Sequence, residues 1–119
     1  MSDTYTIYHN ARCSKSRLAL RFLRRQDIEL DVVRYLETPP SRDVLAKALK
    51  TLGREAMLRK GEDIYRDEIR PRLKSLQDDE LIDIMTAHPE VIERPLVVAP
   101  DGRMAMGRPP ENIEKLFTS

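Results

Sequence analysis

Thr4-Tyr5-Thr6-Ile7-Tyr8, then His9-Asn10-Ala11-Arg12, then Cys13-Ser14-Lys15-Ser16-Arg17-Leu18-Ala19-Leu20-Arg21-Phe22-Leu23: the run from residue 4 to residue 23 decides the fold. Its first five residues are all β-branched or aromatic and have polar neighbours, the mark of a short strand. From Cys13 to Gln26 the apolar positions Leu18, Ala19, Phe22 and Leu23 recur at helical spacing, with Arg17, Arg21 and Arg24 on another face. A strand therefore passes through a tight turn, His9 to Arg12, into a helix. Cys13 stands at that junction.

Outward from this run, Leu30 to Tyr35, with Val32 and Val33, reads as a second strand, ended by Glu37-Thr38-Pro39-Pro40 because two prolines cannot continue a ladder. Ser41 is a good cap for a helix carrying Val44, Leu45, Ala48, Leu49 and Leu52 on one stripe, with Gly53 as its stop. Arg54 to Gln77 has sparse apolar residues and dense mixed charge, which predicts short helical pieces joined by loops. Asp78 or Asp79 is expected to cap a helix through Leu81, Ile82, Ile84 and Met85, ending near His88-Pro89. Leu96-Val97-Val98-Ala99 reads as a buried strand, Pro100-Asp101-Gly102 as a turn and Arg103 to Met106 as its hairpin partner. A closing helix from about Pro110-Glu111 should bury Ile113, Leu116 and Phe117.

The order β-α-β, several helices, then β-β-α predicts an α/β chain of thioredoxin-like architecture. That is a small mixed four-stranded sheet (βαβ then ββα) with helices on both faces. Residues 1–119 are expected to form a single domain, with a helical insertion at about 41–89 between the halves.

Composition narrows the function. Of 119 residues, 40% are hydrophobic and 34% charged, which argues against disorder. Lys plus Arg total 21 against 20 Asp plus Glu, a net charge of +1, so no global field draws the chain to nucleic acid or a membrane. No apolar run approaches the ~20 residues of a membrane span, and the N-terminus lacks a signal peptide's apolar core. A cytoplasmic protein is expected, and since no feature demands a dimer, a monomer.

Cys13 is the only cysteine, so no disulfide can form within the chain, and with only His9 and His88 beside it a metal site is not expected. A lone cysteine is commonly a small buried hydrophobe. Here the neighbours favour a reactive one. A helix N-terminus presents unpaired N–H groups and roughly half a positive charge. Between Asp3 and Asp27 no carboxylate occurs, while Arg12, Lys15, Arg17, Arg21, Arg24 and Arg25 all do. Ser16 is placed to offer its hydroxyl to the sulfur. These influences lower a thiol pKa and make its surroundings an anion pocket. With no second cysteine, an adduct on Cys13 needs an external thiol for its resolution. Ser16 excludes a self-resolving Cys-x-x-Cys, and Ala19 stands where a phosphatase loop needs arginine. A small oxyanion would need further forked donors, and Arg59, Arg94 and Arg108 occupy suitable contexts.

These residues resemble the glutaredoxin-dependent arsenate reductases over nearly the whole chain. The resemblance is carried by Tyr8 to Arg17, Tyr35-Leu36-Glu37-Thr38-Pro39-Pro40, Leu58-Arg59-Lys60, Glu93-Arg94-Pro95-Leu96-Val97-Val98 and Gly107-Arg108-Pro109-Pro110-Glu111. It implies that Cys13 attacks arsenate or a similar oxyanion to form a covalent adduct, and that Arg59, Arg94 and Arg108 bind that oxyanion. It further implies that His9 and Ser16, with Arg17 beside them, tune the thiolate, and that Pro95 is a cis-proline before the third strand. Glutathione would be the co-substrate and glutaredoxin the protein partner, with no bound cofactor. The match departs at Ser14-Lys15, where plasmid-type members carry glycine after the cysteine; side chains there alter the rim of the anion loop. The alternative is a redox-responsive regulator or thiol transferase of the same fold without physiological arsenate activity.

Overall fold

A computed structural model describes residues 3–117. Strand β1 (Thr4–His9) leads through the turn into helix α1 (Ser14–Arg24), and β2 (Glu29–Arg34) follows. Helices α2 (Arg42–Leu52) and α3 (Arg54–Met57) come next, then a π turn at Tyr65–Ile69, a 3-10 turn at Arg70–Arg72 and helix α4 (Asp78–Ala87). After a 3-10 turn at Pro89–Val91 the chain forms β3 (Leu96–Val98), β4 (Met104–Met106), α5 (Glu111–Glu114) and a last 3-10 turn at Lys115–Phe117. Two compact units result. Described residues up to Thr38 and from Arg94 onward make one; Pro39–Glu93, which encloses the expected insertion, makes the other.

The first unit holds the mixed four-stranded sheet that the sequence predicts, and its strands lie in the order β2-β1-β3-β4. β1 runs parallel to β2, pairing Thr4 with Glu29 and His9 with Arg34, and antiparallel to β3. β3 and β4 form the hairpin. Register aligns Val32, Ile7, Val97 and Ala105 as one row across all four strands. That row packs with Ala19 and Leu23 of α1 and with Ile113 and Leu116. Phe117 is only partly buried; its ring stacks on Tyr5 at 4.9 Å and meets Phe22 edge-on at 5.7 Å.

Several boundaries and faces differ from expectation. β2 stops at Arg34, whose carbonyl accepts from Glu37 N–H (3.0 Å) and Thr38 N–H (2.9 Å), so Tyr35 begins a turn. Leu18 does not join the buried stripe and is 47% exposed. The face of α1 turned to the sheet runs Ser16, Ala19, Leu20, Leu23, the i, i+3, i+4, i+7 pattern of a helix, and a serine hides its first position from a hydrophobicity reading.

In the second unit Ser41 Oγ accepts from Val44 N–H at 3.2 Å, and Gly53 takes the positive φ of +86° that ends α2. α2 packs against α3 and α4. The cap of α4 is Gln77 rather than Asp78 or Asp79. Glu80 reaches back to accept from Gln77 N–H at 3.0 Å, and Asp78 is held by Arg54 at 2.7 Å. Arg54 also donates to the carbonyls of Leu73 and Leu76, each at 2.7 Å, tying down a segment with little apolar content. Among the described residues no helix is long and apolar enough to cross a membrane.

Candidate active site

The turn between β1 and α1 is closed by its own backbone. Cys13 N–H donates to Asn10 O at 3.0 Å, and Asn10 Oδ1 accepts from Arg12 N–H at 3.0 Å. Arg17 secures it from the helix, donating from Nη1 to Ala11 O at 2.8 Å. Its guanidinium is thus engaged with the turn rather than with the sulfur. Cys13 becomes the residue preceding the helix, extended at φ −95° and ψ 123°. It is 9% exposed.

The sulfur lies where positive charge converges. Arg108 Nη2 is 3.2 Å from Sγ, and its Nε donates to Arg94 O at 2.8 Å, which aims the fork. Arg94 also reaches the sulfur, and its Nη1 lies 3.4 Å from the hydroxyl of the buried Tyr35. Burial alone would raise the Cys13 pKa. The backbone N–H of Ser16, the Arg94 side chain, the N–H of Lys15 and the charge of Arg108 outweigh it and hold the thiol below its ordinary value. The side chain makes no hydrogen bond of conventional cap geometry, so these N–H groups act chiefly as the helix's positive end.

Ser16 serves differently from expectation. Its buried hydroxyl sits 2.6 Å from His9 Nδ1 and accepts from Asn10 N–H at 3.1 Å; what it offers the sulfur is its backbone N–H. The reason is direction: Ser16 heads the buried stripe of α1, so its side chain points to the end of β1. Burial, then the charges of Arg24, Arg34 and Arg17, push the His9 pKa down, so the imidazole is neutral at pH 7. His9 therefore adds no charge to the pocket; it holds the turn through Ser16.

The Arg94–Pro95 peptide is cis, as is Arg108–Pro109. Gly107 N–H donates to Pro95 O at 2.9 Å. A Cβ on Gly107 would lie 2.7 Å from Pro95 Cγ and 2.8 Å from Ile113 Cδ1, so this approach, which delivers Arg108, needs glycine. Asn112 Nδ2 donates to the carbonyls of Met106 and Arg108, both at 3.2 Å.

Cys13, Arg94 and Arg108 are thus brought together within the first unit, with Ser16 and His9 behind the turn. Arg59 belongs to the second unit. There the Leu58–Ile92 bridge sets it beside Glu93, whose Oε1 lies 3.0 Å from Arg59 Nη1, and Glu62 lies 3.6 Å from its Nε. Asn10, Tyr35 and Asn112 were not singled out by the sequence reading. Asn10 and Tyr35 lie in stretches that carry the family resemblance, without a role assigned to either, and for Asn112 the one signal is its place just after the Gly107-Arg108-Pro109-Pro110 turn.

A sulfur whose ionisation is favoured, facing two guanidinium groups, can attack, and hold in place, a small oxyanion. A profile of the ArsC family matches residues 8–116. The chain is 42% identical over 116 residues to YfgD, an uncharacterised protein of Escherichia coli strain K12, covering 95% of this chain and 96% of the relative. It is 42% identical over 114 residues to an arsenate reductase of Neisseria meningitidis serogroup B, covering 93% and 96%. An arsenate reductase structure from Vibrio cholerae matches with a TM-score of 0.82 at 41% identity, over 97% of this chain and 98% of that one. It supports the thioredoxin-like reading of the sheet. The family match takes in the turn, Arg94 and Arg108 alike, and the chain belongs to the ArsC family.

Proposed function

We propose that this protein is an oxidoreductase that reduces arsenate to arsenite, with Cys13 as nucleophile and glutathione and glutaredoxin as reductants. The observation that carries the reading is the 3.2 Å approach of Arg108 Nη2 to a sulfur whose pKa is lowered.

The thiolate attacks arsenic; an S–As bond forms, one As–O bond breaks, and the oxygen leaves as water after taking up protons. Arsenic remains pentavalent. Arg94 and Arg108 neutralise charge on the remaining oxygens, and preorganised donors of this kind contribute about 3–4 kcal/mol each in a shielded site. Arg59 is the third oxyanion ligand that the family resemblance implies. Glutathione sulfur then attacks Cys13 Sγ. The S–As electron pair passes to arsenic, which leaves as trivalent arsenite, and the two sulfurs are left oxidised as a mixed disulfide. A glutaredoxin thiolate attacks the glutathione sulfur and returns Cys13 as thiolate. The sequence requires a compartment that keeps thiols reduced, which fits a cytoplasmic setting.

Cys13→Ser is expected to abolish arsenate reduction in a coupled assay with glutathione and glutaredoxin while leaving the circular dichroism spectrum unchanged. Substantial residual turnover would refute the nucleophile. Arsenate should also protect Cys13 of the unmodified protein from iodoacetamide; lack of protection would favour a thiol transferase whose pocket takes carboxylates instead.

A further inference from the structure

The turn that carries Cys13 also walls a second depression. A cleft of about 350 Å3 is lined by His9, Asn10 and Arg12 on one side and by Arg34, Leu36 and Glu37, from the end of β2, on the other. This is within the range of small-ligand sites. Leu36 is 46% exposed there, one of only two large apolar side chains so exposed among the described residues.

The charges in this cleft are left apart. Arg12, Arg34 and Glu37 share one volume, yet none of the three side chains has an ion-pair partner among the described residues. Other arginines of the chain do hold carboxylates: Arg42 with Asp83, Arg54 with Asp78, Arg66 with Asp63, Arg103 with Asp101. Two cations and one anion that face a common space without neutralising each other complement a ligand with two carboxylates and one ammonium around a less polar middle. The lone Cys13 supplies the second constraint, because its adduct can be resolved only by a thiol from outside the chain. Arg12 is bonded to Cys13, so cleft and sulfur belong to one turn.

We propose that this cleft seats the small zwitterionic peptide thiol that resolves the Cys13 adduct, with its carboxylates on Arg12 and Arg34 and its ammonium on Glu37. Glutathione has this pattern of groups. The inference rests on the reductase reading for the ligand's role and on the cleft for its binding.

The two are tested separately. Binding is read with S-methylglutathione, which cannot exchange, added to the Cys13→Ser protein while backbone amide resonances are followed. Shifts centred on residues 34–37 are expected, and shifts confined elsewhere would overturn the site. Kinetics are read for Glu37→Lys and Arg34→Ala at saturating arsenate, with either glutathione or 2-mercaptoethanol as thiol. Each variant should raise the glutathione KM by about tenfold, the scale of one charge-assisted hydrogen bond. Turnover supported by uncharged 2-mercaptoethanol and the KM for arsenate should stay unchanged. An unaltered glutathione KM in both variants would overturn the proposal. Absence of turnover with every thiol would instead sink the reductase reading, and the S-methylglutathione titration would still decide the cleft.

Discussion

At the scale of single residues, the chemistry depends on how one sulfur is held. Because the folded state lowers the Cys13 pKa, the half-point of its alkylation by iodoacetamide should fall below the ~8.5 of a free thiol. Arg108→Ala, which removes the cation 3.2 Å away, should move that half-point upward. The same shift enters stability. An acid weakened by unfolding favours the folded state wherever its anion exists. The contribution is fully present above the ordinary thiol value and is lost as pH falls through the folded value. Thermal melts of wild type and Cys13→Ser should therefore diverge as pH rises through that window, with the wild type gaining. Ser16 makes a different contribution. Ser16→Ala leaves His9 Nδ1 and Asn10 N–H without their shared partner in a buried place, which should cost about 1–3 kcal/mol in chemical denaturation. At this scale the sequence places Cys13 immediately before α1, where the fold has it, but does not give side-chain direction. Arg17 reaches a backbone carbonyl and His9 is uncharged, because both depend on how the turn folds back on α1.

At the scale of elements, α1 is the instructive case. Its helical period was plain from the sequence, but its buried face was not, since Ser16 occupies a position that the packing treats as core. Leu23 is fully buried and Leu18 is 47% exposed, so the two leucines should respond differently to truncation. Leu23→Ala is expected to lose about 2–5 kcal/mol in urea denaturation, and Leu18→Ala to stay within about 0.5 kcal/mol of wild type. Equal losses would show that the helix presents another face to the sheet. The strands and α2 were legible because β-branched runs, proline stops and the Ser41 and Gly53 signals are local. The region from Arg54 to Gln77 resisted for the opposite reason: its order comes from Arg54 holding carbonyls 19 and 22 residues away.

At the scale of the whole molecule, a net charge of +1 conceals segregation. Arg12, Arg17, Arg21, Arg24, Arg25 and Arg34 have no carboxylate partner among the described residues, whereas Arg42, Arg54 and Arg103 each hold one and Arg66 holds two. The field around the turn should therefore favour incoming anions. Anionic iodoacetate is expected to alkylate Cys13 faster, relative to neutral iodoacetamide, than it does a free cysteine. That advantage should shrink as ionic strength rises from about 0.01 M to about 1 M, as the Debye length contracts from ~30 to ~3 Å. A ratio indifferent to salt would mean the arginines do not act on the site.

Local rules written in the chain determined the strand order along the sequence, the placement of Cys13 before a helix, and the excess of arginine around it. These follow from propensity, periodicity and composition, which act over a few residues. Only the tertiary structure decided which arginines meet the sulfur. Arg94 and Arg108 lie 81 and 95 residues beyond Cys13 and reach it because β3 pairs with β1 and Gly107 closes on Pro95. Contacts across such separations come from strand register and close packing, which no local pattern encodes.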